Sequence, residues 1–228
     1  SEQLDWLQGE LEKAYEIKTQ RTRQKGNEEV EAKLLNRGVR RTEKGYEIEA
    51  GPRHAELIIE QLLEPEARIL STPGTGGDVE AGDDKELEGG DATRYRAIAA
   101  RCNYLSIDRP DLQFAVKELC REMAKPTEQS WSKLKRVGQY LKGRPRVVWS
   151  YEWQDEATVA DVFSDANWAG CRRTRTSTSG GCVMVGYHCI KTWAKTQAVV
   201  AKSVSDTHLT LPSNREVHNC VESVYSNK

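Results

Sequence analysis

Residues 127–150 read TEQSWSKLKRVGQYLKGRPRVVWS, and along this stretch the residue pattern changes from helical to extended. Apolar side chains first recur at three- and four-residue spacing, which predicts an amphipathic helix; they are Trp131, Leu134, Val137 and Leu141. Thr127 suits the N-cap of this helix and Gly143 suits its C′ stop. The apolar run 147–149 is typical of a strand. The switch predicts an α+β chain.

Two further helices are predicted on the N-terminal side of this stretch. One has an apolar stripe between Tyr95 and Leu105, and the next opens at Pro110, where proline at a first helical position sacrifices no hydrogen bond. We expect all three stripes to form core. The polar faces are basic and carry Lys117, Arg121, Lys133, Lys135, Arg136 and Lys142. Residues 92–146 are therefore predicted to form a basic helical unit.

The first 91 residues divide into a mixed α and β part, residues 1–70, and a linker, residues 71–91. The linker holds six glycines and many acidic residues, a composition that cannot bury enough apolar surface to offset ordering. The elements predicted before it are a helix over 3–13, a strand over 15–18, a hairpin with arms 33–41 and 46–50, and a helix over 52–63.

Strand patterns follow the helices over residues 147–200. Val159–Phe163 predicts one strand, and 181–187 with 190–193 predicts an antiparallel pair that turns at 187–189. Asp165 comes at the end of the first of these strands, before a loop that carries Arg172, Arg173 and Arg175. A carboxylate beside an arginine loop could begin a metal and phosphate site. An aspartate at a strand end is more often a cap or turn residue.

Charge is distributed unevenly along a chain whose net charge is only −1. Residues 1–93 have a net charge of −9, residues 94–204 have +9, and the last 24 residues have −1. A basic segment of this density suits a polyanionic partner, because each phosphate that it neutralises releases counterions. A solvated lysine-rich helix face is the other interpretation, and charge alone does not separate the two.

The six cysteines contain no Cys-x-x-Cys pair, which favours a reduced, intracellular setting over a disulfide framework. Cys182, His188 and Cys189 could be metal ligands, but the alternating run around Cys182 favours a buried strand. No apolar run of about 20 residues and no secretory signal is present, so we expect neither a membrane nor a secreted protein. The chain begins at Ser1 rather than at methionine, which suggests a fragment or a processed product.

Several motifs between residues 94 and 203 resemble the Pol polyproteins of copia-type retrotransposons. The matching segments are Tyr104-Leu105-Ser106, Arg109-Pro110-Asp111, Ala115-Val116, Lys125-Pro126-Thr127, Trp131, Lys135-Arg136, Tyr140-Leu141-Lys142-Gly143, Phe163–Gly170 (FSDANWAG), Arg173, Ser177–Gly180 and Ile190–Trp193. Residues 1–70 more loosely resemble the end of a reverse-transcriptase palm.

This resemblance implies a domain order: the end of the palm over 1–70, the linker 71–91, basic thumb or connection helices over 92–146, and the start of a truncated RNase H-like mixed sheet over 147–203. The segment 204–228 is unlike the family and is expected to be irregular. The implied partners are RNA/DNA hybrid or other nucleic acid and the remainder of the Pol polyprotein, without a membrane. The implied nucleic-acid contacts are Arg172, Arg173, Arg175, Lys135, Arg136 and Lys142.

The family's RNase H centre holds two Mg²⁺ ions on four converging carboxylates. Asp165 matches the first of these, but His208 stands where the resemblance places the second, a glutamate, and the polymerase Asp-Asp hairpin is missing. We therefore expect a remnant, incomplete metal site at Asp165, with no tightly bound Mg²⁺ and no catalysis. The alternative is a nucleic-acid-binding module that is reused without catalysis.

Overall fold

The computed structural model describes residues 2–17, 31–74, 84–171 and 174–202, which form helices and two antiparallel sheets. The elements in chain order are α1 (Glu2–Ala14), β1 (Glu31–Leu34), β2 (Arg37–Arg41), β3 (Gly45–Ala50), α2 (Arg53–Leu62), α3 (Gly89–Ser106), α4 (Pro110–Arg121), α5 (Glu128–Gly143), β4 (Val148–Glu152), β5 (Ala160–Asn167), β6 (Thr178–Val185) and β7 (His188–Thr196). The described chain is α+β.

The first sheet has the strand order β1-β2-β3-β4, with every neighbouring pair antiparallel. The β2–β3 hairpin is the one predicted from the sequence. Its predicted first arm, 33–41, is instead divided into β1 and β2 by a two-residue turn at Leu35 and Asn36. Both turn residues have positive φ angles, of 49° and 64°. This left-handed geometry matches the twist of a tight hairpin, and asparagine adopts it readily.

Helices α2 to α5 enclose the main hydrophobic core, and the predicted apolar stripes are the buried faces. Fully enclosed members of this core include Ile58, Ile98, Leu112, Leu134 and Leu141. Helix α2, which precedes the linker, thus shares its core with the three helices that follow the linker. Among the described residues, no helix is long and apolar enough to cross a membrane.

Strand β4 follows the helices but belongs to the first sheet. It pairs antiparallel with β3, placing Trp149 opposite Ile48, so helices α2 to α5 lie in the chain between two neighbouring strands. The indole Nε1 of Trp149 donates to the carbonyl oxygen of Asp108 at 3.0 Å. On sequence alone, residues 147–149 group with the later strands. They join the first sheet instead, because β2 covers only one edge of β3 and the other edge is available to β4.

The second sheet has the order β5-β6-β7, again antiparallel. The predicted β6–β7 pair is confirmed, but it turns at Gly186 and Tyr187 rather than at 187–189, since His188 and Cys189 already belong to β7. Gly186 has a φ of 59°, a left-handed conformation that favours glycine, and a side chain there would displace the amide of Gln154.

Three local predictions were wrong. Residues 15–17 form no strand, while Lys18 lies outside the described residues. Gly143 is the last residue of α5 rather than its C′ stop, and its missing side chain makes room for Ile69. Helix α3 begins at Gly89, inside the predicted linker. The amide of Leu87 donates to the Pro126 carbonyl at 2.8 Å, which anchors the chain before that helix.

Candidate nucleic-acid interface

Helix α4 joins the helical unit to the second sheet through three polar side chains spaced four residues apart. Gln113 donates to the Thr192 hydroxyl at 2.9 Å, and Lys117 donates to the Thr178 hydroxyl at 2.5 Å. One turn further, Arg121 donates to Cys171 Sγ at 3.0 Å. Gln113 was not singled out from the sequence, although its spacing from Lys117 and Arg121 places all three on one helical face.

Acidic side chains pair with several of the basic residues on this unit. Glu118 accepts from Lys117 at 2.5 Å and from Arg121 at 3.1 Å, and Glu122 accepts from Lys133 at 2.5 Å. These pairs neutralise part of the positive charge that the sequence shows. The surface available to a polyanion is therefore smaller than the net charge of +9 suggests.

The three predicted contacts on α5 have different surroundings. Lys135 is exposed to solvent. Arg136 is partly buried and donates to the Thr72 hydroxyl at 2.7 Å, and its Nε is buried with no hydrogen-bond partner among the described residues. Lys142 is partly buried and donates to the carbonyls of Pro65 and Ala67, the latter at 2.9 Å. Its ammonium therefore holds the segment after α2, and only Lys135 is left open to a ligand.

The β5–β6 loop carries the predicted arginines, of which Arg172 and Arg173 lie outside the described residues. Arg175 is exposed and has a φ of 57°. Its amide donates to the Cys171 carbonyl at 2.7 Å, which closes a turn. Arg136 of α5 lines one cavity together with Asn167 and Cys171 of this loop region. The cavity therefore places Arg136 of α5 near Cys171 at the start of the arginine loop, whereas Lys135 and Arg175 are not among the residues that line it.

Asp165 lies inside β5, opposite Gly180, rather than at the strand end as the sequence predicted. Its side chain is exposed. Within the described residues, no three histidine, cysteine, aspartate or glutamate side chains come close enough together to hold a metal ion. A two-Mg²⁺ centre needs several converging oxygen ligands, so the described residues around Asp165 do not fit one. His208 lies outside the described residues.

The alternative metal set of Cys182, His188 and Cys189 has no support in the geometry. Cys182 is 3% exposed within β6. Nε2 of His188 donates to the Glu152 carbonyl at 2.7 Å, and its Nδ1 is 3.1 Å from the amide nitrogen of Gln154. Both ring nitrogens of the histidine are thus already hydrogen-bonded to protein groups.

Cys171 is a residue of this interface that the sequence did not single out. Burial raises the pKa of its thiol, but hydrogen bonds from Thr174 and from the Arg121 guanidinium outweigh that effect and lower the pKa to about 7. The amide of Thr174 donates to the sulfur at 3.5 Å. The contact joins residues 121 and 171, so no sequence motif could reveal it.

Comparison with known proteins shows several relatives that match about half of the chain. An uncharacterized mitochondrial protein of Arabidopsis thaliana, AtMg00810, is 35% identical over 119 residues, which are 51% of this chain and 48% of the relative. The retrovirus-related Pol polyprotein from transposon RE2 of the same plant is 37% identical over 116 residues, 51% of this chain and 8% of the polyprotein. The secreted RxLR effector protein 161 of Plasmopara viticola is 33% identical over 117 residues, 50% of this chain and 81% of that protein.

Over about half of its length the chain is thus similar to retrovirus-related Pol polyproteins from transposons. The chain spans about half the length of the mitochondrial relative and a small part of the transposon polyprotein. No protein-family model matches the chain, and no solved structure matches it.

Proposed function

We propose that the chain is the part of a copia-type Pol polyprotein in which the reverse transcriptase ends and the RNase H domain begins, and that it contacts RNA/DNA hybrid. The observation that carries this proposal is that α5 and the start of the β5–β6 loop line one cavity, and that each of these two segments also has an exposed cation. Helix α5 presents the exposed Lys135, and the β5–β6 loop presents the exposed Arg175, which follows Arg172 and Arg173 in the sequence.

These cations contact phosphate oxygens rather than base edges. Lysine and arginine side chains on an exposed helix face and loop neutralise a backbone irrespective of its sequence, which is what a protein that processes a whole element requires. The hydrogen bonds from α4 to Thr178 and Cys171 hold the loop against the helices, so the two surfaces keep a fixed relation to each other.

Catalysis is not part of the proposed role. Asp165 supplies one exposed carboxylate, whereas hydrolysis by two Mg²⁺ ions needs several carboxylates converging on both ions. In this proposal the chain positions hybrid inside the cell, joined to the remainder of the Pol polyprotein, and Mg²⁺ does not bind it tightly.

The proposal is tested by fluorescence anisotropy of a labelled RNA/DNA hybrid at several salt concentrations. The double variant Lys135→Glu/Arg175→Glu should bind at least about tenfold more weakly than the parent and show a shallower salt dependence, equally for unrelated sequences. The control is Lys33→Glu/Lys44→Glu, which reverses two exposed lysines of the first sheet and its β2–β3 turn. Equal weakening by both variants, or a loss confined to one sequence, would contradict the proposed interface.

A further inference from the structure

A cleft of about 860 Å³ separates the two sheets, with α4 on one side of it. Its walls include Trp149 and Tyr151 of β4 and residues 189–195 along β7. At one end the sheets meet, where Tyr151 Oη donates to the Cys189 carbonyl at 3.2 Å and His188 donates to the Glu152 carbonyl. The volume of the cleft is within the usual range for ligand sites, which often lie between structural units.

The lining of the cleft is strongly basic. It includes five cationic side chains and a single acidic one, Asp108, whose carboxylate accepts from Arg37 at 2.7 Å. Lys117 and Arg121 pair with Glu118. Lys191 and Lys195 of β7 are exposed and form no ion pair among the described residues. The cleft therefore has two lysines available for an anion.

Three aromatic residues line the same cleft, namely Trp149, Tyr151 and Trp193, and all are partly buried. The indole nitrogen of Trp149 and the hydroxyl of Tyr151 already donate to carbonyl oxygens of the protein. These bonds fix both rings and use their polar atoms, so what the two side chains offer to a ligand is ring surface.

We propose that this cleft binds a single-stranded stretch of nucleic acid, with bases stacking on the aromatic rings and phosphates contacting Lys191 and Lys195. Aromatic side chains interleaved with cations are the features that hold unpaired strands without regard to sequence. In a duplex the bases already stack on one another, so the rings cannot reach their faces. The inference rests on the proposed function, because nucleic acid is the partner in both, but it assigns a second surface to the unpaired strand.

The test compares short labelled oligothymidine and oligouridine with a blunt RNA/DNA hybrid, measured by anisotropy with the whole chain. Lys191→Glu/Lys195→Glu should weaken binding of both oligonucleotides at least about tenfold and change hybrid binding less than about threefold. Lys33→Glu/Lys44→Glu is again the control, and circular dichroism establishes that each variant folds. Quenching of the intrinsic tryptophan fluorescence by unlabelled oligonucleotide provides a readout that needs no substitution.

Each outcome decides between the two proposals. The cleft proposal is supported if Lys191→Glu/Lys195→Glu selectively loses oligonucleotide binding and if the oligonucleotide quenches the tryptophan fluorescence of the parent. If the parent binds the hybrid but not the oligonucleotides, the cleft proposal is overturned and the proposed function stands. The cleft proposal is also overturned if Lys191→Glu/Lys195→Glu leaves oligonucleotide binding unchanged. Equal loss of hybrid and oligonucleotide binding in that variant also overturns it. If the parent binds neither ligand, the proposed function fails together with the cleft.

Discussion

Arg109 is 1% exposed, and its guanidinium is almost completely used by neighbouring oxygens. It makes a two-point contact with the Asp111 carboxylate, at 3.0 and 2.8 Å, and donates to the carbonyls of Arg144 and Pro145. Tyr140 also donates to the same carboxylate at 2.8 Å. The Arg109-Pro110-Asp111 motif, one of those that carry the family resemblance, thus ties the start of α4 to the end of α5.

Arg109→Ala should therefore lower the free energy of unfolding by about 3–5 kcal/mol, because it leaves the Asp111 carboxylate buried without its cation. Urea unfolding measures the change. The matched control is Arg146→Ala, which removes an ion pair with Glu49 from a side chain that is 57% exposed and should change the free energy by less than about 1 kcal/mol. Equal effects of the two substitutions would contradict the assignment.

The lowered pKa of Cys171 predicts a thiol that reacts near neutral pH. Because the reactive species is the thiolate, alkylation by iodoacetamide should accelerate as the pH rises through about 7. Burial raises the pKa of Cys102 to about 12, so that thiol should stay unmodified in the folded chain. Peptide mapping by mass spectrometry identifies the modified residue.

Arg121→Gln should move the midpoint of Cys171 alkylation to higher pH, because the substitution removes the guanidinium that stabilises the thiolate. An unchanged pH midpoint in that variant would show that Arg121 does not stabilise the Cys171 thiolate, however fast the parent protein is alkylated.

Among the elements, α5 has the best defined beginning. The Thr127 hydroxyl accepts from the Ser130 amide at 3.2 Å, and the Ser130 hydroxyl accepts from the Thr127 amide at 2.9 Å, which completes a capping box. Thr127 was predicted as this cap from the sequence.

Thr127→Ala should lower the free energy of unfolding by about 1 kcal/mol, within the 0.5–2 kcal/mol usual for such caps, as measured by thermal or urea unfolding. Ser132→Ala serves as the comparison, since this exposed serine lies inside the helix and alanine favours helix. The cap would be unimportant if the two variants were equally stable.

Helices α2, α4 and α5 could be predicted almost to the residue, because each has an apolar stripe at helical spacing that packs into one core. The pairing of β6 with β7 could also be predicted from the sequence. The pairing of β4 with β3 could not be predicted, since short apolar strands look alike in sequence and their partners are chosen by tertiary packing. The division of the predicted 33–41 arm was missed because Leu35 is an unusual residue at positive φ.

The residues of the candidate site could be predicted from the sequence only in part. Lys135 and Arg175 are exposed, as a nucleic-acid contact requires, but Lys142 was chosen for its charge and is held by the carbonyls of Pro65 and Ala67. Composition reports how many charges a segment has and not which of them are paired. The acidic partners Glu118 and Glu122 lie on the same helical unit as the lysines and arginines, so pairing becomes visible only in three dimensions.

At the scale of the whole molecule, we expect no Mg²⁺-dependent hydrolysis of RNA in an RNA/DNA hybrid. Gel electrophoresis of end-labelled hybrid should show the background rate for the parent, and Asp165→Asn should leave that rate unchanged, because one carboxylate does not hold two ions. Cleavage above background that disappears in Asp165→Asn would mean that a complete carboxylate set forms in the chain.

The return of β4 to β3 also bears on the order in which the chain folds. The paired residues, from Gly45 with Glu152 to Glu49 with Val148, are about 100 residues apart, so closing this loop from an open chain costs about 4 kcal/mol of entropy. Helices α3 to α5 meet through much shorter separations, and their docking brings the two strands together. We therefore expect the helical core to form first and the first sheet to close late. Pulsed hydrogen exchange during refolding should show protection of the α3 amides before those of β4, and the reverse order would mean that the sheet guides the helices.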